Sequence, residues 1–167
     1  MAVKREEMMA DMRTSTAREA SLGFSAMTFD DVATVIRIER RSYEFPWTEG
    51  IFRDCIRAGY YCVLLTRGRE VLGYGVMAVA AEEAHLLNLC IDIDRQGQGY
   101  GRRLLDHFVS RARELGAARL LLEVRISNLI AQALYESSGF VQIGIRRSYY
   151  PDRIGREDAI VLALALS

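Results

Sequence analysis

The spacing of hydrophobic residues along the chain alternates between the helical period and the pattern of strands. Segments with helical spacing begin near residues 31, 48, 99 and 128. Between them lie apolar runs rich in β-formers, at residues 24–28, 60–66, 71–80, 85–93, 120–124, 140–149 and 158–166. Hairpin turns at 67–70 and 82–83 interrupt the alternation of helix and strand. The pattern therefore predicts an α/β fold with a mixed sheet rather than a purely parallel one.

Capping residues and helix breakers mark the ends of the predicted helices. Thr48 is placed to cap the second helix, and Ser127 or Asn128 the last one. Pro46 separates the first two helices, because the residue before a proline disfavours the helical region. These signals fix the order of the elements more firmly than their exact ends.

The length of 167 residues suits one domain with one core. We expect that domain over residues 23–167, after a flexible lead over residues 1–22. The lead carries charges but no apolar core, so it is not a signal peptide. The longest apolar run, Ala159–Leu166, is far shorter than the ~20 residues that cross a bilayer, so we expect no membrane association.

The charge balance excludes one further class of protein, and the cysteines indicate the compartment. With 22 basic and 22 acidic side chains, the chain lacks the electrostatic footprint of a nucleic-acid-binding protein. The three cysteines have no CxxC spacing, which favours buried free thiols and a cytoplasmic protein. A metal site from Cys55, Cys62, His85 and Cys90 is the disfavoured alternative, so we expect no metal.

A glycine-rich turn between a strand and a helix is the main chemical signal of the chain. It spans residues 95–101, after the β-type run at 86–93 and before a helix whose apolar face includes Leu104, Leu105 and Phe108. Glycine lets the backbone approach a ligand closely, and the first amides of a helix are unpaired. The helix dipole adds about half a positive charge there, so the turn predicts an anion site.

The spacing of the glycines decides between three kinds of phosphate loop. A nucleoside-triphosphate loop needs a Gly-Lys pair, which this chain does not contain. The dinucleotide pattern GxGxxG fails from Gly97, which puts Arg102 at its end, and from Gly99, which puts Leu104 there. What remains, Gln96-x-x-Gly99-x-Gly101, resembles the acyl-CoA pyrophosphate loop of the GNAT acetyltransferase superfamily. A plain glycine turn is the alternative.

Other segments match the same superfamily in order along the chain. They are Phe45–Thr48, Asn88–Asp92, Leu122–Asn128, Ala133–Phe140, Ile145–Pro151 and Gly155–Ala159. From about residue 25 to 166 the chain thereby resembles the RimI-type branch, the ribosomal-protein-alanine N-acetyltransferases. The resemblance implies the GNAT fold, a central mixed, mostly antiparallel sheet that splays beside the cofactor and is flanked by helices.

The resemblance also implies acetyl-CoA as co-substrate and a set of residues that bind it. The strand before the turn would hold the pantetheine arm, and the turn would hold the pyrophosphate. The residues implied are Leu89, Cys90, Ile91, Gln96, Gly97, Gln98, Gly99, Tyr100, Gly101, Arg102 and Asn128. Asn128 has a second role open to it, as the cap of the helix that follows.

Glu123 is the candidate for the general base. It is the only charged residue in the run Leu120–Val124, and a charge inside an apolar strand is costly unless it is paired or used. The alternative is an ion pair with Arg125, two residues on and on the same face. The base of the family falls on this glutamate.

Tyr135 is the candidate for the acid that assists the departing thiolate. It lies about two turns into the helix that begins at Asn128, and the acid of the family falls on it. A phenol with a pKa near ~10 can donate a hydrogen bond to the sulfur, whereas full proton transfer to a thiolate of pKa near ~8.5 is uphill. An ordinary core tyrosine is the alternative.

The resemblance implies a protein N-terminus as the acceptor, specifically the N-terminal alanine of a small-subunit ribosomal protein. Trp47, Tyr149 and Tyr150 are candidates for the walls of the peptide groove. An α-amine, with a pKa near ~7.7–8.0, is neutral at pH 7 far more often than a lysine at ~10.4, so a carboxylate base suits it. We expect direct attack in a ternary complex by a monomer or weak oligomer in the cytoplasm, without direct binding to nucleic acid.

Two alternatives remain at this point. The first is a GNAT enzyme for another protein N-terminus, a lysine or a small amine. The second, from a different class, is a non-catalytic acyl-CoA-binding module that regulates a partner. The presence of both Glu123 and Tyr135 argues against that module.

Overall fold

The structure, a computed structural model, describes residues 21–167. Residues 1–20 of the predicted lead lie outside this range. The strands of the described part are β1 (Leu22–Ala26), β2 (Tyr61–Arg67), β3 (Glu70–Ala80), β4 (Glu83–Ile91), β5 (Arg119–Arg125), β6 (Val141–Pro151) and β7 (Arg156–Ala165). Its α-helices are α1 (Val32–Ser42), α2 (Glu49–Arg57), α3 (Tyr100–Glu114) and α4 (Leu129–Ser137), with short 3₁₀ turns at Phe29–Asp31 and Ile93–Arg95.

All seven strands join one sheet in the order β1-β2-β3-β4-β5-β7-β6. The β4–β5 pair is parallel and every other neighbouring pair is antiparallel. The predicted mixed, mostly antiparallel sheet is therefore confirmed.

The parallel pair opens part of the way along its length. Pairing joins Glu83–Leu86 to Arg119–Leu122 and stops there, so the carboxyl-terminal halves of β4 and β5 separate. A β-bulge lies at the same point, because Val76 pairs with Asn88 while Met77 pairs with Leu86, which leaves Leu87 as an extra residue. A bulge bends its strand and increases the twist. The bulge thus turns the end of β4 away from β5 and leaves a gap in the middle of the sheet.

Each face of the sheet carries its own hydrophobic core. On one face α3 packs through Leu104, Leu105 and Phe108. On the other face α1 and α2 pack through residues that include Val35 and Phe52. Successive side chains of a strand point to opposite faces, so neighbouring residues of the central strands belong to opposite cores. The gap between β4 and β5 is therefore bordered by both cores.

One glycine sets how closely α3 approaches the sheet. A Cβ at Gly75 on β3 would collide with the ring of Phe108. The missing side chain lets the helix lie close over the strands.

Side-chain caps mark the starts of α2 and α4. The Thr48 hydroxyl accepts from the amide of Ile51 at 3.4 Å, and Oδ1 of Asn128 accepts from the amide of Ala131 at 3.1 Å. Both caps confirm the sequence prediction, with Asn128 rather than Ser127 in the second case.

Two predicted strand ends differ from the structure because a cap intervenes. The first strand ends at Ala26 rather than residue 28, since Thr28 is the N-cap of a 3₁₀ turn whose Asp31 carboxylate accepts from the Thr28 amide at 2.7 Å. β4 ends at Ile91 rather than residue 93. There the Asp92 carboxylate accepts from the Asp94 amide at 3.1 Å and starts another 3₁₀ turn. Of the helices that the structure describes, none combines the length and the apolar character that a bilayer crossing requires.

Candidate active site

Two cavities meet at the gap between β4 and β5. We call them the loop cavity, of about 290 Å³, which is lined by the glycine turn, and the Glu123 cavity, of about 330 Å³, which is lined by Glu123. The residues that line both are Tyr43, Leu89, Asn128, Ala131 and Tyr135. The two cavities therefore adjoin along a shared wall, and we call them together the channel, which runs from the glycine turn to Glu123.

The glycine turn owes its shape to two left-handed residues. Gly97 has φ of 73° and Gly99 has φ of 83°, a region that L-residues with side chains rarely adopt. The side chain of Gln96 fastens the turn to β4, because its Nε2 donates to the carbonyl of Ile91 at 3.0 Å. The turn is thus held against the end of the strand, as an anion loop requires.

The start of α3 presents free amides at this turn. The first backward hydrogen bond of the helix runs from the Arg103 amide to the carbonyl of Gly99 at 3.2 Å. The amides of Tyr100, Gly101 and Arg102 precede it and belong to the turn whose donors have no partner within a helix. With the helix dipole they form a site suited to a phosphate group.

The predicted loop residues divide into two groups. Gln96, Gly97, Tyr100 and Gly101 line the loop cavity, whereas Gln98, Gly99 and Arg102 do not. The guanidinium of Arg102 instead donates to the hydroxyls of two serines at the end of α4, Ser137 at 2.5 Å and Ser138 at 3.1 Å. The side chain of Arg102 thus joins α3 to α4.

The three predicted residues of β4 all line the loop cavity. The carbonyl of Leu89 accepts from the Tyr43 hydroxyl at 2.8 Å. Burial raises the pKa of the Cys90 thiol to about 11, so the thiol is protonated at neutral pH. A protonated thiol is a poor nucleophile, which argues against an acyl-enzyme on Cys90.

Tyr135 lies at the junction of the two cavities and is 8% exposed. Burial raises the pKa of its phenol to about 12. The phenol therefore stays protonated over the whole physiological range and faces the channel as a hydrogen-bond donor. Asn128 lines both cavities as well, in addition to capping α4.

Glu123 is half-buried and pairs with a different arginine from the one expected. Its Oε1 lies 3.2 Å from Nε of Arg146 on β6. Arg125 instead pairs with Glu157 at 3.1 Å and lies over the ring of Tyr150 at 4.6 Å. The alternative of an ion pair between Glu123 and Arg125 is therefore wrong, and Arg146 supplies the neighbouring positive charge.

Glu123 and Tyr135 approach the channel from opposite faces of the sheet. The neighbours of Glu123 on β5, Leu122 and Val124, belong to the core that contains Tyr135. Glu123, between them, points to the other face by strand alternation. A group placed in the gap is accordingly flanked by the carboxylate on one side and the phenol on the other.

The three predicted aromatic walls have different positions. Trp47 and Tyr150 line the Glu123 cavity, and the Tyr150 hydroxyl donates to the carbonyl of Glu123 at 3.0 Å. Burial raises the pKa of Tyr150, which keeps that donor protonated. Tyr149 does not line the cavity; it is 39% exposed and packs edge-on against Tyr150, with ring centroids 4.9 Å apart. It supports a wall and does not form one.

Sequence reasoning missed several residues of the channel. Tyr43 lines both cavities, and Phe45, Leu87 and Asn88 line the Glu123 cavity. The proximity of Phe45 to the predicted Trp47, and of Asn88 to the predicted Leu89, is a usable signal, whereas Tyr43 reaches the site only through the tertiary fold. Within residues 21–167, no three His, Cys, Asp or Glu side chains cluster as ligands for a metal ion.

Comparison with known proteins gives consistent matches over the same region. The acetyltransferase (GNAT) family matches residues 32–140. The [ribosomal protein bS18]-alanine N-acetyltransferase of Escherichia coli K12 is 42% identical over 143 residues, which cover 86% of this chain and 97% of that protein. The protein of the same name from Haemophilus ducreyi is 37% identical over 137 residues, which cover 81% of this chain and 94% of that protein.

Solved structures agree with the sequence matches. The crystal structure of the ribosomal-protein-S18-alanine N-acetyltransferase from Escherichia coli is similar, with a TM-score of 0.83 at 41% identity over 88% of this chain and 95% of that one. Ard1 from Thermoplasma volcanium follows with a TM-score of 0.79 at 25% identity, over 87% of this chain and 98% of that one.

Proposed function

The chain belongs to the GNAT acetyltransferase family, and from that membership we propose that it transfers the acetyl group of acetyl-CoA to the N-terminal alanine of a ribosomal protein. One observation carries the chemical part of this proposal, namely that the loop cavity and the Glu123 cavity adjoin and share five lining residues. The choice of acceptor rests on relatives that are 42% identical and whose names state that substrate. Such an acceptor is made in the cytoplasm, where we place the reaction.

The loop cavity is the proposed site of the co-substrate. The amides at the start of α3 and the backbone of Gly97 would bind its pyrophosphate, and the edge of β4 from Leu89 to Ile91 would align its pantetheine arm. Acetyl-CoA supplies the thioester carbon that the amine attacks. Good alignment of two reactants lowers a barrier by ~7–11 kcal/mol, which makes this positioning the largest contribution of the chain.

Glu123 is the proposed acceptor of the proton from the amine. Glu123 acts best on the fraction of α-amine that is already neutral, or through a water. It would orient that amine by a hydrogen bond and accept its proton as the bond to the acetyl carbon forms. The partner Arg146 would hold the carboxylate in place.

Tyr135 is the proposed hydrogen-bond donor to the departing sulfur. Its pKa of about 12 lies well above the ~8.5 of a thiol, so the phenol keeps most of its proton. The role that fits this difference is stabilisation of negative charge on the sulfur, rather than complete proton transfer. Because Cys90 is a protonated thiol, attack proceeds directly in a ternary complex without an acyl-enzyme.

The proposal is tested by mass spectrometry of three acceptors incubated with acetyl-CoA and the protein. The first is a peptide with a free N-terminal alanine, the second is the same peptide with a blocked N-terminus and an internal lysine, and the third is a polyamine. We expect one acetyl group on the first alone. Modification of the second or third instead would assign the enzyme to lysines or small amines, and tight CoA binding without any product would indicate a non-catalytic module.

A further inference from the structure

A buried carboxyl group that takes no part in the proposed acetyl transfer lies beside the Glu123 cavity. Glu39 on α1 is 1% exposed and is the one charged side chain that is fully buried among residues 21–167. None of the cations in that part of the chain lies within ion-pair distance of it. Burial of a carboxylate without a cation is costly unless hydrogen-bond donors surround it.

Three donors from three different elements converge on Glu39. Oε1 accepts from the backbone amide of Trp47 at 2.9 Å, in the loop between α1 and α2. Oε2 accepts from Nδ2 of Asn88 on β4 at 3.2 Å and from the hydroxyl of Tyr74 on β3. A carboxylate is the side chain that can accept all three hydrogen bonds at once.

Two of these donors belong to residues that line the Glu123 cavity. Trp47 and Asn88 both form its wall, and Asn88 directly follows the bulged Leu87. Glu39 and Tyr74 lie behind that wall and do not line either cavity. Glu39 therefore joins the loop on one side of the cavity to the bulged strand on the other.

We propose that Glu39 is a positioning residue that fixes the acceptor side of the channel by tying the Trp47 loop to the bulge of β4. This proposal rests on the proposed acetyl transfer to a peptide. Since the loop cavity is built from other contacts, the loss of Glu39 would impair binding of the peptide and leave binding of acetyl-CoA intact.

The test combines kinetics with the fluorescence of Trp47, which is the only tryptophan in the chain. In Glu39→Gln a single amide oxygen replaces the two carboxylate oxygens. That oxygen can accept at most two hydrogen bonds, so at least one of the three donors loses its partner. We expect the KM for the alanine peptide to rise about tenfold and the KM for acetyl-CoA to stay within about twofold. In the substrate-free protein, the emission of Trp47 should shift to longer wavelength and acrylamide should quench it more strongly.

Two control variants separate positioning from a general loss of stability. Tyr74→Phe removes one donor and keeps the ring that packs against Phe52 with centroids 5.5 Å apart, so it should give a smaller change of the same kind. Ile38→Val changes a residue of the same helix and loosens the same core, while Glu39 and its three donors are all kept. It should lower the melting temperature and change neither the peptide KM nor the Trp47 emission.

The outcomes are distinct. A folded Glu39→Gln protein with unchanged peptide KM and unchanged Trp47 emission would overturn the proposal, and so would equal increases in both KM values. If Glu39→Gln does not fold, Tyr74→Phe decides by the same two measurements. If the wild-type protein does not modify the peptide, the proposed function fails, while the fluorescence of the same variants still shows whether Glu39 holds the Trp47 loop.

Discussion

The two halves of the channel are built in different ways. More than half of the residues that line the loop cavity come from one continuous segment, residues 89–101, and its anion site consists of backbone amides. The Glu123 cavity takes its lining from the α1–α2 loop, β4, β5, α4 and β6. Ion pairs and side-chain hydrogen bonds hold that wall together, as between Glu123 and Arg146 or between Glu39 and Trp47.

Because of this difference, the two halves should tolerate different substitutions. The loop cavity depends on backbone conformation, so its binding of acetyl-CoA should weaken when a glycine is replaced and should change little with most side-chain substitutions. The Glu123 cavity depends on particular side chains from distant segments, so it should fail when a charge or an acceptor is removed. Variants of one half should therefore change the kinetics of one substrate and spare the other.

The largest effect is expected at the Glu123 cavity. Glu123→Gln keeps the size of the side chain and removes the carboxylate, so kcat/KM for the peptide should fall by about 10²–10⁴-fold, the usual contribution of a general base. Calorimetry should find the affinity for CoA unchanged. If the variant turns over peptide at the wild-type rate, the assignment of the base is wrong.

Tyr135→Phe should come next, at the junction of the two halves. The ring still packs against Phe140, whose centroid lies 5.7 Å away, and only the donor to the sulfur is lost. We expect kcat to fall by about 10–100-fold with both KM values nearly unchanged. Because burial holds the pKa of Tyr135 at about 12, the wild-type kcat should show no decline from this group below pH ~11. An unchanged kcat in the variant would contradict this role and show that Tyr135 only packs in the core.

A smaller effect is expected from the backbone of the loop cavity. Gly99→Ala places a Cβ at φ of 83°, which costs about 1–2 kcal/mol and favours a different turn. The KM for acetyl-CoA should rise roughly tenfold and the KM for the peptide should not. Gly116→Ala is the matched control, because Gly116 has φ of 80° at the other end of α3. It should cost similar stability and leave both KM values unchanged; equal effects of the two variants on acetyl-CoA would contradict the anion site.

The smallest effect concerns the pH dependence of the wall beside the Glu123 cavity. The side chain and the backbone amide of Ser127, with Arg125, hold the pKa of Glu157 below its usual value. A group with a lowered pKa in the folded state stabilises it above the unfolded pKa of ~4.3, and that stability is lost as the pH falls through the folded pKa. Glu157→Gln should therefore melt a few degrees lower than the wild type at pH 7, with the difference shrinking below pH ~4. A difference that is independent of pH would contradict this account.

The parts predicted from sequence are those that local rules determine. The glycine turn, the caps at Thr48 and Asn128, and the mixed sheet all follow from short-range spacing. Local rules place the turn itself, whereas the residues expected to bind a ligand there came from the family resemblance. Of the predicted loop residues, Gln98, Gly99 and Arg102 do not line the loop cavity.

Glu123, Trp47 and Tyr150 were predicted for the Glu123 cavity, but its contacts were not, because they join distant segments. The pairing of Glu123 with Arg146 depends on the register of β6, which slips between Arg146 and Tyr150, where Ser148 has φ of 50°. A slip of this kind breaks the two-residue alternation, so counting along the strand does not tell which tyrosine faces the cavity. Tyr43 lines the site from a helix end, and Glu39 lies behind its wall on a helix face; neither position carries a motif.

The continuity of the channel is tested most directly with a conjugate in which CoA is joined through an acetyl bridge to the N-terminus of the alanine peptide. Calorimetry should show that this conjugate binds at least about 10²-fold more tightly than CoA alone, as expected for a ligand that spans both halves of the site. Its affinity should fall both in Gly99→Ala and in Glu39→Gln, whereas that of CoA should fall only in the former. A conjugate that binds no more tightly than CoA would contradict the single channel.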